Sequence, residues 1–422
     1  MFAEILITGQ EIISGDIVDS NSVRIAQMLE EVGLKVTRHH CVGDDIEGLI
    51  DVIKEISMRA NIAVVTGGLG PTPDDITAEA AAKSAGIKLV LDTSALMSIE
   101  AFFKVRKRPV NVSNKKQAML PSGAECLNNP VGTAPGFYLE IGRCSFFFIP
   151  GVPFEMRTML SDSVIPKIGE MIGSRKQVNL VKTISIFGLT ESEIGEKLSS
   201  LASEFPEICL GIRAKFPEIY AKLYCHGKDS KRLGQRIEKA SDWVLNQMGD
   251  KAFSSKGKSM EAVVGGLLAR KKATLAVAES CTGGLISHWL TNIPGSSDYF
   301  LFAGVTYSND AKMNVIGVSS KILNQYGAVH EETVKQMATG VKRVSGATYG
   351  LATSGIAGPS GGTEDKPVGT VCIGLATPYT AKGFRFFFPF NRRSRNKKIF
   401  AMTALDLLRK ELLSEPSRYI KS

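Results

Sequence analysis

A serine at the end of an apolar run is the most chemically suggestive residue in the chain. The segment ATLAVAESCTGGLISHWL (residues 273–290) places Ser280 after a strand-like stretch and before a glycine-rich helix start. That position is the carboxyl edge of a sheet, where α/β domains usually bind ligands. The backbone N–H groups of Cys281, Thr282, Gly283 and Gly284 would open the helix without intrahelical acceptors. Such groups can receive an oxyanion or a phosphate. The same segment also reads as a plain helix cap formed by Ser280 or Thr282.

A nucleophilic serine needs a base. Of the five histidines, only His288 and His330 fall in this part of the chain. His288 lies two helical turns beyond Ser280 and is expected to point elsewhere. A Ser-His-Asp triad is therefore poorly supported. The segment FAGVTYSNDAKMNVIGV offers Tyr307 and Lys312 after an apolar strand. A lysine desolvated in a cleft loses its proton more readily, and Ser–Lys pairs are a known variant of the triad. A lysine at a strand–helix junction is otherwise an ordinary solvated residue.

Two further segments suggest phosphate chemistry beside this serine. YGLATSGIAGPSGGTEDKPVGTVCIGLA sets a glycine-rich loop, with Gly355 and Gly358, between two strands. FRFFFPFNRRSRNKKIF then supplies Arg385, Arg392, Arg393, Arg395, Lys397 and Lys398, one of which can hold a phosphate bidentately. Near the other end, VVTGGLGPTPDD delivers Thr66, Gly67, Gly68, Gly70 and Thr72 to a loop. Its Asp74 and Asp75 could hold a hard divalent cation beside a phosphate, or simply cap the next helix. Asn21, Asp44, Asp45, the NPVGTAPG turn with Asn129, Gly132 and Thr133, and Glu155 of PGVPFEM add polar loop residues.

The elements that must position these residues alternate between strand and helix patterns. AEILITG, KVTRHHCVG and NIAVVTGGLG read as strands, separated by the helical SNSVRIAQMLEEVG and IEGLIDVIKEISMRA. This rhythm implies a mostly parallel sheet covered on both faces. From about 175 to 252 the pattern becomes a small α+β module, and SSKGKS near 254–259 reads as a linker to a second α/β domain. The predicted organisation is three domains, 1–168, 169–255 and 256–422.

Composition narrows the class. With 44% hydrophobic and 22% charged residues, the 422-residue chain is typical of a globular protein. Its net charge of +9 is compatible with acidic small molecules or nucleic acid, or with a solvated basic surface. Seven scattered cysteines form no CxxC pair, which argues against a zinc knuckle or a disulfide framework and for a reducing compartment. MFAEILITGQEIISGD lacks the basic leader of a signal peptide, and no apolar run reaches the roughly 18 residues of a membrane span. A cytoplasmic protein without membrane partners is expected.

AESCTGG, PGSSDYF, YSNDAK, SGIAGP, KPVGTV and the basic helix start resemble, in this order and spacing, the nicotinamide mononucleotide deamidase family. The resemblance covers about residues 258–415. It implies Ser280 as nucleophile, Lys312 and Tyr307 as its activating pair, and Ser297 nearby. It also implies substrate contacts from Thr282, Gly283, Gly284, Gly355, Gly358 and Arg393, with no metal for deamidation. Where the family has Gly-Asp-Arg and a second Arg one turn on, this chain has Asn391-Arg392-Arg393 and Lys397.

Residues 3–165 resemble the molybdopterin-binding-like, three-layer α/β domain of CinA (competence/damage-inducible) proteins. That likeness implies a divalent-metal-dependent (Mg, Mn or Co) ADP-ribose pyrophosphatase. It implies nucleotide binding by Thr66, Gly67, Gly68, Gly70, Thr72, Asn129, Gly132 and Thr133, and metal binding by Asp74, Asp75 and Asp45. Gln10 stands where many relatives carry an Asp or Thr. GLTESEIGEKL and GIRAKFPEIYAKL resemble the KH-like insert of the same proteins, but no GxxG loop occurs between Gly173 and Gly249. The expected partners are therefore nicotinamide mononucleotide, ADP-ribose and a second copy of the chain, not nucleic acid. The rival readings are a domain that binds a pterin nucleotide, and an adaptor for DNA uptake or repair.

Overall fold

A computed structural model describes residues 1–173 and 178–414. Residues 174–177 of the expected middle module and 415–422 of the expected last domain lie outside the described residues. The chain divides into two compact units, Met1–Leu180 with Cys225–Gly234, and Val181–Tyr224 with Gln235–Ser422. Among the described residues no helix is long and apolar enough to cross a membrane.

The first unit is built on a six-stranded sheet. Its strand order is Lys35–Val42, Phe2–Thr8, Ile62–Thr66, Cys144–Ile149, Gly136–Ile141, Glu125–Leu127. The first four run parallel, and the pairings of Gly136–Ile141 with its two neighbours are antiparallel. The strand Phe2–Thr8 alternates as its period requires. Leu6 joins Leu49, Ile53, Ile56 and Phe148 in one core, and Ile5 and Ile7 join Ile25, Leu29 and Phe147 in the other. Helix Ile46–Arg59 covers the first face and helix Asn21–Glu31 the second. The parallel strands therefore end together at Thr8, Val42, Thr66 and Ile149, leaving their loops at one edge.

The second unit carries a five-stranded sheet in the order Phe300–Val305, Leu275–Glu279, Tyr349–Gly355, Thr370–Ala376, Ala381–Phe387. The first three strands are parallel, and the pairings of Thr370–Ala376 with its two neighbours are antiparallel. Leu275 and Val277 face a core with helices Met260–Lys271, Leu285–Thr291 and Arg393–Ser414. Ala276 and Ala278 face the opposite core with Ile316, Val334, Met337 and Val341. Helix Glu331–Ser345 lies very close to the sheet. A Cβ on Gly374 would come within 2.0 Å of the Val334 carbonyl oxygen. A four-stranded sheet, ordered Cys209–Lys215, Glu218–Gly227, Val178–Phe187, Ala252–Ser254, accounts for the α+β pattern of the middle segment.

The structure shifts two predicted helix starts. The helix after Ser280 begins at Leu285, because Gly283 and Gly284 adopt φ of +59° and +87° and make residues 281–284 a turn. The helix after the VVTGGLG strand begins at Thr77, so Asp74 and Asp75 precede it and Glu79 is the acid in its first turn.

Candidate functional sites

Ser280 follows directly on strand Leu275–Glu279 and is buried. Its N–H donates to the Thr353 carbonyl at 2.9 Å, so the neighbouring strand sets its position. Lys312, on helix Asn309–Ile316, is fully buried. Its Nζ lies 3.3 Å from Ser280 Oγ and 2.9 Å from the carbonyl oxygens of both Thr306 and Tyr307. Burial pushes the Lys312 pKa below the ordinary lysine value, against a smaller opposing influence from Cys281. A neutral amine has two N–H bonds for the two carbonyls and a lone pair for the serine hydroxyl. The arrangement therefore suits a base. Cys281, the adjacent thiol, is pushed up to about 12 by burial and stays protonated, so it does not compete as nucleophile.

Tyr307 meets Lys312 through its carbonyl oxygen and not through its phenol. Tyr307 is 59% exposed, and its phenol oxygen accepts from Arg393 Nη2 at 3.0 Å. Arg393 Nη1 donates to Gly358 O at 2.9 Å, so this residue bridges the tyrosine and the glycine-rich loop. Thr282 is engaged with Thr353, hydroxyl to hydroxyl at 2.7 Å, both side chains buried. Gly283 is exposed, and Lys397 Nζ lies 3.4 Å from where its Cβ would be. Gly284 sits at the helix N-cap. Gly355 is a packing glycine, its missing Cβ facing Thr370 O at 2.6 Å.

Ser297 is not brought to Ser280 within the chain. It sits in the turn Ser296–Asp298, before strand Phe300–Val305. That strand pairs in parallel with Leu275–Glu279, Leu275 against Phe300 and Glu279 against Val305. Ser297 thus precedes the strand whose far end neighbours Ser280, a separation on the order of 15 Å. Neither histidine serves as base. His330 caps helix Glu331–Ser345 through Nδ1, and His288 is exposed beside Asn292.

In the first unit the strand ends open into a cavity of about 460 Å³. Thr66, Gly67, Gly68, Gly70, Asp74, Asp75 and Thr133 line it, with Asn21, Asp44 and Glu155. Six carboxylates (Glu11, Asp19, Asp44, Asp74, Asp75, Glu155) line it and, among the described residues, no lysine, arginine or histidine does. Asn21 Nδ2 donates to Gly151 O at 2.7 Å, while its buried Oδ1 has no hydrogen-bond partner among the described residues. Thr72 does not line the cavity; its N–H donates to Asp75 Oδ2 at 2.8 Å and so organises the loop. Asn129 is likewise internal, accepting from Gly132 N at 3.0 Å and donating to Glu155 Oε2 at 2.8 Å. Gly132 packs beside that carboxylate.

The expected metal set is not assembled as predicted. Asp45 caps helix Ile46–Arg59, accepting from Gly48 N at 3.0 Å, and lies outside the cavity lining. Its neighbour Asp44 is the residue that faces the cavity. Gln10 also lies outside the lining, its side chain against Gly43, while Glu11 is inside. Among the described residues no three His, Cys, Asp or Glu side chains converge as a metal-binding group.

Residues 257–412 match the CinA C-terminal domain, and residues 4–170 match the probable molybdopterin binding domain. A CinA-like protein of Desulfosudis oleivorans is 52% identical over 98% of this chain and 100% of its own length. The chain belongs to the CinA family. A relative from Shewanella oneidensis, named nicotinamide-nucleotide amidohydrolase PncC, is 41% identical over 98% of the chain and 97% of its own length. The crystal structure of CinA from Thermoplasma acidophilum covers 40% of the chain and 97% of itself, at 32% identity and a TM-score of 0.37.

In this CinA-family chain two buried polar residues escaped the sequence reading. Glu279 directly precedes Ser280, and Asn396, on the last helix, donates to Ala357 O at 3.0 Å and Phe390 O at 2.8 Å. An acid closing the otherwise apolar LAVAE run was the available signal for the first. Nothing in the sequence around Asn396 distinguishes it from the solvated residues of a basic helix start.

Proposed function

We propose that the C-terminal domain is a nicotinamide-nucleotide amidohydrolase with Ser280 as nucleophile and Lys312 as base. The supporting observation is the buried Lys312 Nζ, 3.3 Å from Ser280 Oγ, with its other two contacts on carbonyl oxygens. The name of the Shewanella oneidensis relative points to the same reaction.

In this reading Ser280 Oγ attacks the carboxamide carbon of nicotinamide mononucleotide, and Lys312 takes the hydroxyl proton. The Thr282 N–H, which takes no acceptor among the described residues, is available to the oxyanion. Lys312 returns the proton to the leaving nitrogen, and ammonia departs. Water, deprotonated by the same lysine, then hydrolyses the acyl-serine to nicotinic acid mononucleotide. Lys397, beside Gly283, and Arg393, on Gly358 O and the Tyr307 phenol, would hold the 5′-phosphate. Rapid quenching into acid followed by peptide mass analysis tests the covalent step. The acyl group of nicotinic acid mononucleotide should be found on Ser280; its appearance on another residue would refute the assignment.

For the N-terminal cavity the proposed reaction is metal-dependent hydrolysis of ADP-ribose to AMP and ribose phosphate. The charged groups of its lining are all carboxylates, hard oxygen donors that suit a divalent ion which keeps waters and is bound through one or two carboxylates plus phosphates. Asp44 and Asp74 would hold it. With six carboxylates and no cation in the lining, a pyrophosphate can enter only with positive charge beside it, which the metal supplies. AMP formation with and without a divalent metal is the test, and metal-independent turnover would contradict the reading.

A further inference from the structure

We infer that Glu279 is a positioning residue for Ser280, acting by clamping the two ends of the turn that carries it. The inference rests on the reading of Ser280 as nucleophile. Glu279 is the last residue of strand Leu275–Glu279, its carboxylate is completely buried, and it has no salt-bridge partner among the described residues. An isolated buried carboxylate is strongly unfavourable unless donors surround it. Here three do. Oε1 accepts from Ser287 N at 2.9 Å and from Ser287 Oγ at 2.6 Å, and Oε2 accepts from Ile286 N at 3.2 Å.

Those donors belong to the first turn of helix Leu285–Thr291. That helix has Gly284 at its N-cap, which offers no side chain to the orphan N–H groups. The carboxylate of the preceding strand takes the place of a local cap, five residues upstream. It thereby ties the strand end to the helix start across residues 280–284. Gly283 and Gly284 are in the left-handed region, and the other ties of the turn are Ser280 N to Thr353 O, Gly283 N to Ser280 O, Leu285 N to Thr282 O, His288 N to Gly284 O, the Thr282–Thr353 hydroxyl pair, the Lys312–Ser280 contact and the packing of buried Cys281. Ser280 is the first residue of this clamped turn: Thr353 O fixes it on the strand side, and the clamp fixes the turn that follows it.

The clamp has a second effect. The positive end of the helix is already occupied by an internal carboxylate. The substrate's phosphate is therefore excluded from that end and left to Lys397, beside Gly283, and Arg393.

Glu279→Gln tests the clamp while keeping its shape. The amide presents an N–H donor toward the helix N–H groups, so at least one of the three hydrogen bonds is lost. Expected are an unchanged circular dichroism spectrum, a kcat for ammonia release lower by about 10- to 100-fold, and KM within about 2-fold. Labelling of Ser280 by a fluorophosphonate, followed by intact mass, should slow by a similar factor, because it reads serine reactivity without substrate. A wild-type kcat and labelling rate in Glu279→Gln would overturn the inference. Ser287→Ala, which removes only the hydroxyl contact, should slow labelling by about 3-fold, and Ser287→Thr should restore it. Equal rates in these two variants and the wild type would also overturn it. Wild-type protein that labels at Ser280 but releases no ammonia would sink the deamidase reading alone. The labelling comparison would still decide the role of Glu279.

Discussion

Lys312 Nζ and Ser280 Oγ stand 3.3 Å apart, both residues buried. Strand Leu275–Glu279 ends in the serine, and helix Asn309–Ile316, following the adjacent parallel strand Phe300–Val305, brings the lysine. Parallel neighbouring strands deliver their following segments to the same edge, so residues 32 apart in sequence meet.

The lowered pKa of Lys312 sets the direction of the pH dependence. The neutral amine is the base, so kcat/KM should rise with pH through a group titrating below the ordinary lysine value. Lys312→Arg, which stays protonated, should lose activity at every pH. A pH–rate profile of the wild type checks the first point; a flat or falling profile from pH 6 to about 9 would contradict it.

The same burial has a stability consequence. The folded state binds the Lys312 proton more weakly than the unfolded chain does, so this group destabilises the fold at low pH. Its penalty shrinks as pH rises from the lowered folded value toward the unfolded value of about 10.4. Lys312→Met should be inactive yet have a Tm at pH 7 equal to or above that of the wild type. A fall in Tm would show that the ammonium is a net stabiliser.

Thr282→Val should weaken the second unit by about 1–3 kcal/mol, because it leaves the buried Thr353 hydroxyl without its partner. Urea unfolding with unchanged m-value would measure it. The substitution should also lower kcat, since the turn loses a tie to the strand.

Two glycines make a paired test of the packing. Gly374→Ala pushes a methyl toward the Val334 carbonyl and should cost about 2 kcal/mol or more. Gly266→Ala, in helix Met260–Lys271, meets only the flexible end of Arg270 at 3.6 Å and should stabilise by about 0.5–1 kcal/mol. Similar unfolding midpoints for the two variants would contradict the close helix–sheet approach.

The two proposed activities should separate on metal removal. Chelation is expected to abolish AMP formation from ADP-ribose and to leave ammonia release unchanged. Asp44→Asn should reduce the first, and Asp45→Asn should affect mainly helix stability. Equal losses of AMP formation in both variants would contradict the assignment of Asp44.

The α/β alternation and the placement of Ser280 were legible because strand period and strand-end glycines are local signals. Lys312 was legible as a candidate, but its pairing with Ser280 depends on strand order. Tyr307 shows the limit of residue type as a guide: its carbonyl, which any residue has, makes the contact assigned to its phenol. Asp44 and Asp45 are adjacent acids, and only the backbone path decides which one is consumed in capping a helix. Ser297 was associated with Ser280 by family spacing, whereas parallel register puts it before the start of the neighbouring strand. Glu279 was hidden because its partners are backbone N–H groups of a helix whose start the glycines displaced.

The central claim is tested most directly by metal-free ammonia release from nicotinamide mononucleotide, comparing the full chain with Ser280→Ala. Steady release by the wild type and none by the folded variant is the predicted result. Undiminished release by Ser280→Ala would contradict the account, because the carboxamide would then be hydrolysed without the serine that Lys312 is placed to activate.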